Sequence, residues 1–165
     1  MRTTFRLVDI PTGPRGSLAT LRLMQGLVTQ ALWTPQLVQA VRARVCPRTG
    51  SDGAAVEALR EWCRRHWRFR DDPADMELLR TPAYFLARWE RSATLEGDCD
   101  DAAVWTAFCG GALGCGWGFR ALAFAPGGFD HVYTRLWTRD GWVHNMDVTN
   151  LGMHPVPEAV QILDV

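Results

Sequence analysis

A chain of 165 residues is expected to form one domain that buries roughly 70% of its unfolded surface, and 47% apolar content with eight tryptophans argues against intrinsic disorder. Eighteen basic and eighteen acidic residues cancel, so no global field draws the chain to nucleic acid or an anionic membrane. The five cysteines are odd in number and irregularly spaced, and Met1 to Gly16 holds no apolar leader; a reducing cytoplasm is the expected setting. No apolar run reaches the length of a membrane span.

Thr3 to Ile10 alternates like a strand, and Pro11, Gly13, Pro14 and Gly16 turn the chain, so residues 1–16 are expected to be an arm before a core of about 17–150. Ser17 is a candidate cap for a helix over Leu18 to Leu32, whose apolar positions recur at helical spacing. Thr34-Pro35 opens a second helix to about Val45, with Leu37, Val38, Val41 and Val45 on its buried face. A third starts at Ser51 or Asp52 and is expected to end near Phe69. It puts Val56, Leu59, Trp62, Cys63, His66 and Trp67 on one face and Arg60, Arg64, Arg65, Arg68 and Arg70 on a solvated one. Met76 to Arg80 suits a short turn, Thr81-Pro82 starts a helix to about Trp89, and a loop leads on to Gly97.

Cys99 to about Leu113 is apolar around its whole circumference, so this helix is expected at the centre, with Gly110, Gly111 and Gly114 marking a frayed end. Three strands follow, Phe119 to Ala125, His131 to Thr138 and Trp142 to Val148, leaving 151–165 as a tail. Helices first and antiparallel strands later imply a single α+β domain.

The segment Glu96-Gly97-Asp98-Cys99-Asp100-Asp101 carries the chemistry. Asp98 is the expected N-cap, with Asp101 reaching back to its backbone donor as in a capping box. Cys99 then begins the helix, where unpaired N–H groups favour a thiolate and can hold an oxyanion. The flanking carboxylates oppose the thiolate. A negative charge about 7 Å away costs roughly 2 kcal/mol at an effective dielectric of about 20, whereas the helix terminus returns about 0.3 to 2 kcal/mol. A reactive Cys99 therefore requires an imidazolium partner.

His131, at the start of a strand after Gly127-Gly128, is better placed for that than His66, His144 or His154. Asp147 can orient its ring provided both face one side of the sheet. A two-residue loop at Asp140-Gly141 would put them on opposite sides, whereas Arg139-Asp140-Gly141 as a three-residue loop sets Thr149 opposite His131 and Asp147 diagonally beside it.

Gly97-Asp98-Cys99-Asp100-Asp101, His131-Val132-Tyr133, Trp142-Val143 and Asp147-Val148-Thr149 resemble the transglutaminase-like cysteine enzymes, in particular small bacterial and phage-borne members. The resemblance extends upstream to Phe69-Arg70-Asp71-Asp72-Pro73, Glu77-Leu78-Leu79 and Thr81-Pro82, covering roughly 17–150. It implies a papain-like core, a triad of Cys99, His131 and Asp147, no cofactor, and acyl transfer on an amide or peptide through a thioester, with hydrolysis favoured over transamidation. A protein or peptide substrate follows. Trp89 and Gln25 are the candidates for completing the oxyanion hole.

The rival reading is a noncatalytic interaction or assembly module, virion-associated if phage-encoded and bound to phage assembly proteins. A redox-sensing Cys99 is a third. A zinc site from Cys99, Asp101 and His131 is chemically possible, but no paired His or CxxC element supports a metal.

Overall fold

The computed structural model describes residues 14–45, 50–73, 77–149 and 158–165; the expected strand over Thr3 to Ile10 lies outside them. In chain order the elements are α1 (Pro14–Leu32), α2 (Pro35–Arg44), α3 (Asp52–His66), β1 (Trp67–Phe69), α4 (Pro82–Ser92), β2 (Leu95–Gly97), α5 (Cys99–Leu113), β3 (Gly116–Ala123), β4 (His131–Trp137), β5 (Val143–Met146) and β6 (Gln161–Asp164). The fold is α+β, as the order of helical and strand-like segments implied.

Helix α5 is the axis. Thirteen of its fifteen residues are buried, which leaves it no solvated face. The sheet β5-β4-β3-β6 covers one side of it through β3 and β4, and α1, α2, α3 and α4 enclose the rest. All pairings in this sheet are antiparallel. Leu21, Met24, Val28 and Ala31 supply α1's buried stripe, and Val41 and Val45 anchor α2.

Local chemistry explains the helix starts. Ser51 accepts a hydrogen bond from the Ala54 N–H at 3.3 Å and Thr81 from the Tyr84 N–H at 3.2 Å, each satisfying a donor left over at a first turn. Thr34 behaves differently. Its hydroxyl donates back to the Gln30 carbonyl at 3.1 Å, and Pro35 alone sets the opening of α2.

Several expectations need correction. Helix α1 begins at Pro14, before Ser17. Helix α3 stops at His66, and Trp67–Phe69 turns into a strand running parallel to Leu95–Gly97, where a loop was expected. Arg68 and Arg70 therefore do not share a helix face with Arg60, Arg64 and Arg65. Trp67 misled the periodicity because it follows Cys63 at helical spacing and is equally buried. The tail also holds a strand, β6, hydrogen-bonded to β3.

The glycines near the end of α5 are packing devices. A Cβ on Gly110 would collide with the Leu136 side chain of β4, and one on Gly111 would lie 2.8 Å from Leu32 of α1. Gly114, at φ +92°, closes the helix in the left-handed conformation.

Candidate active site

Cys99 opens α5, directly after β2 and the cap residue Asp98. Asp98 Oδ1 accepts from the Asp101 N–H at 3.5 Å, a long bond. The reciprocal half of the expected capping box is replaced: the Asp101 carboxylate turns to Arg80, taking its backbone N–H at 2.9 Å and its guanidinium. Arg80 also pairs with Asp72 at 3.2 Å. Gly97 makes room for this arrangement, since a Cβ there would overlap the Asp101 side chain.

His131 opens β4, and Asp147 follows β5. The three-residue loop is as expected. Gly141 has φ +88°, its N–H donates to the Thr138 carbonyl at 3.0 Å, and Leu136 pairs with His144 across the turn. That register puts His131 and Asp147 on one face, with His131 Nε2 donating to Asp147 Oδ2 at 2.8 Å. Thr149 donates to the other carboxylate oxygen at 3.2 Å, a supporting contact whose chemical role its place opposite His131 did not reveal.

With Nε2 engaged by Asp147, Nδ1 is the ring atom left to face Cys99, which lines the same cleft as His131. Burial resists protonation of His131, but the interactions with Asp147 and Cys99 outweigh it and raise its pKa to about 9. At neutral pH the ring is an imidazolium. The side chain is only 10% exposed, which keeps these interactions out of bulk water.

Cys99 and His131 border a cleft of about 580 Å³. Helix α1 contributes Ser17, Thr20 and Met24 to it, the segment after β1 contributes Asp71 and Glu77, and the loop before β4 contributes Phe129. Cys63, Cys109 and Cys115 are buried, whereas Cys99 is half-buried at the cleft.

Other expectations fall away from this place. Trp89 does not line the cleft; it packs on Trp62 and His66 with ring centroids 5.7 and 6.2 Å away. Gln25 does not line it either. The first-turn N–H groups of α5 are the donors at hand beside Cys99. His66 Nδ1 meets the Ala93 carbonyl at 2.9 Å and His144 faces Glu57 at 3.5 Å, and neither lines the cleft. His154 lies outside the described residues. The zinc combination of Cys99, Asp101 and His131 fails because Asp101 is committed to Arg80.

Two buried acids beside Cys99 depart from ordinary carboxylates. Burial pushes Asp101 up to about 7 against the pull of Arg80. Asp100 is raised well above its usual range, first by burial and then by the carboxyls of Asp98 and Glu77. Burial thus favours the protonated form of Asp100, and any hydrogen bond among these carboxyl groups needs a shared proton.

No protein-family profile and no curated protein matches the chain. Among solved structures it is similar to a crystal structure of a "putative protease" from Parabacteroides distasonis, with a TM-score of 0.59 at 11% sequence identity. The match covers 88% of this chain and 31% of that one, so the chain spans less than a third of that protein, and the likeness is one of fold. Among the described residues no helix is long and apolar enough to cross a membrane.

Proposed function

We infer that the chain is a cysteine-dependent acyl-transfer enzyme of the transglutaminase-like kind, acting on an amide or peptide bond. The observation that carries this reading is the meeting of Cys99 from α5 and His131 from β4 at one cleft, with Asp147, just after β5, bonded to the imidazole. The Cys99 thiolate attacks the carbonyl carbon and forms the C–S bond. The oxyanion sits against the first-turn N–H groups of α5. As the tetrahedral adduct collapses, the C–N bond breaks, the His131 imidazolium gives its proton to the leaving amine, and a thioester remains on Cys99. Neutral His131 then takes a proton from the second nucleophile, which attacks the thioester and restores the thiolate. Asp147 positions the ring throughout and stabilises its charged form.

Water as the second nucleophile gives a peptidase or amidase, and an amine gives transamidation. Hydrolysis is the favoured outcome, in keeping with the protease description of the structural neighbour. Mass spectrometry of the protein mixed with a panel of amide substrates, with and without added primary amine, tests both steps. An acyl adduct on Cys99, absent in Cys99→Ala and discharged by water, is expected. No adduct with any amide would defeat the proposal.

A further inference from the structure

The cleft beside Cys99 has a one-sided charge. Among the described residues Asp71, Glu77, Asp98, Asp100 and Asp130 all line it, no arginine does, and its one cationic side chain, His131, is bonded to Asp147. The arginines beside this wall in sequence are engaged elsewhere, Arg70 with Glu96 and Arg80 with Asp101 and Asp72. Among the described residues Asp71, Glu77, Asp98 and Asp100 have no arginine partner. The half-unit of positive charge at the start of α5 is small beside this set.

Asp100 adds an independent observation. It is 4% exposed and faces the cleft, yet neither carboxyl oxygen meets a hydrogen-bond donor among the described residues. Its close polar neighbours are the carboxyls of Asp98 and Glu77, which can bond to it only by sharing a proton. A buried acceptor without a donor is costly, and an incoming N–H cation supplies what the fold leaves out. The aromatic rings of Phe69 and Phe129 border the same space and suit the alkyl stem of such a group and its charge.

A metal ion fits less well. The Asp98, Asp100 and Asp101 carboxylates do approach within 4.8 Å of one another, but the pairing of Asp101 with Arg80 leaves two ligands, fewer than a hard divalent ion requires.

We propose that this cleft selects substrates bearing a positively charged amine or guanidinium beside the bond attacked, held by Asp71, Glu77, Asp98 and Asp100. The inference rests on the acyl-transfer reading for the word substrate, but its test does not require turnover. Cys99 is modified with cationic, neutral and anionic methanethiosulfonate reagents at low ionic strength, each rate being divided by that of a small reference thiol. The cationic reagent is expected to be at least tenfold faster than the anionic one. Salt and the Asp71→Asn, Glu77→Gln double variant are each expected to shrink that ratio. A cationic reagent no faster than the neutral one overturns the proposal.

Calorimetry on Cys99→Ala reads the same preference without the thiol. The probes are blocked tripeptides with central lysine, arginine or norleucine, and a norleucine tripeptide with a free N-terminus. Binding of one cationic peptide at least fivefold tighter than blocked norleucine supports the proposal and tells side chain from terminus. Equal or absent binding, or calcium binding in preference to every cationic peptide, overturns it. Charge selectivity without an acyl adduct would defeat the enzymatic reading alone; an adduct without selectivity would defeat this one alone.

Discussion

At Cys99 the sequence poses an electrostatic problem that the side chains around it largely solve. Three aspartates flank the thiol, yet Asp101 is paired with Arg80 and burial favours the protonated form of Asp100, so the repulsion at the helix start falls mainly to Asp98. The His131 imidazolium then has less repulsion to overcome than the bare sequence suggests. Its pKa of about 9 lies above the ordinary 6.5, so its contribution to stability is complete below about 6.5 and disappears as pH rises through about 9. The same titration is expected to set an alkaline limb near 9 in the pH profile of kcat/KM, since acylation needs the imidazolium as acid. In Asp147→Asn that limb should move down by about one unit or more, equivalent to about 1.4 kcal/mol; an unmoved limb would remove Asp147 from its positioning role. Iodoacetamide should label Cys99 faster than Cys63, Cys109 and Cys115, which are at most 8% exposed, and peptide mapping of the labelled protein checks the order.

Between elements, the critical join is that of α5 to β4, because it sets Cys99 against His131. Thr134 donates to the Ala103 carbonyl at 2.7 Å and accepts from the Thr106 hydroxyl at 2.9 Å, all three residues being fully buried or nearly so. Thr134→Val is expected to lose about 1 to 2 kcal/mol in urea unfolding and to slow Cys99 alkylation. Gly110→Ala should be destabilising too: helix propensity gains about 1 kcal/mol at most, while the clash with Leu136 costs about 1 to 3 kcal/mol. Leu136→Val in the same chain is expected to restore part of the loss in thermal unfolding. Much at this scale was legible beforehand. The caps at Ser51 and Thr81 and the all-apolar circumference of α5 located their helices, and Arg139-Asp140-Gly141 fixed the register that aligns His131 with Asp147. Strands β1 and β2 were illegible because three residues hold too little alternation to be read, and their parallel pairing joins segments far apart in sequence. The backbone donors for an oxyanion were legible from the helix start at Cys99, whereas the side chains sought to complete the hole, Trp89 and Gln25, do not line the cleft, because sequence spacing does not tell which face of α1 or α4 meets it.

Across the whole molecule, the wall of the cleft depends on one arginine. Asp101 of α5 is fully buried, and Arg80 ties it to Asp72 in the segment that carries Asp71 and Glu77. Arg80→Met is expected to cost about 3 to 5 kcal/mol by stranding a buried carboxylate, and Arg80→Met with Asp101→Leu should recover part of it; chemical denaturation of the two variants checks the order. The far edge of the sheet has a different vulnerability. Strand β6 covers β3, with Phe119 and Val165 exchanging hydrogen bonds at 2.7 and 2.9 Å and Asp164 bracing Arg120 and Arg135. Deleting residues 161–165 would bare a row of peptide groups able to recruit the same row on a neighbour. The shortened protein is therefore expected to scatter light and elute as multimers even where Cys99 still reacts, so for this chain the last few residues govern handling in solution.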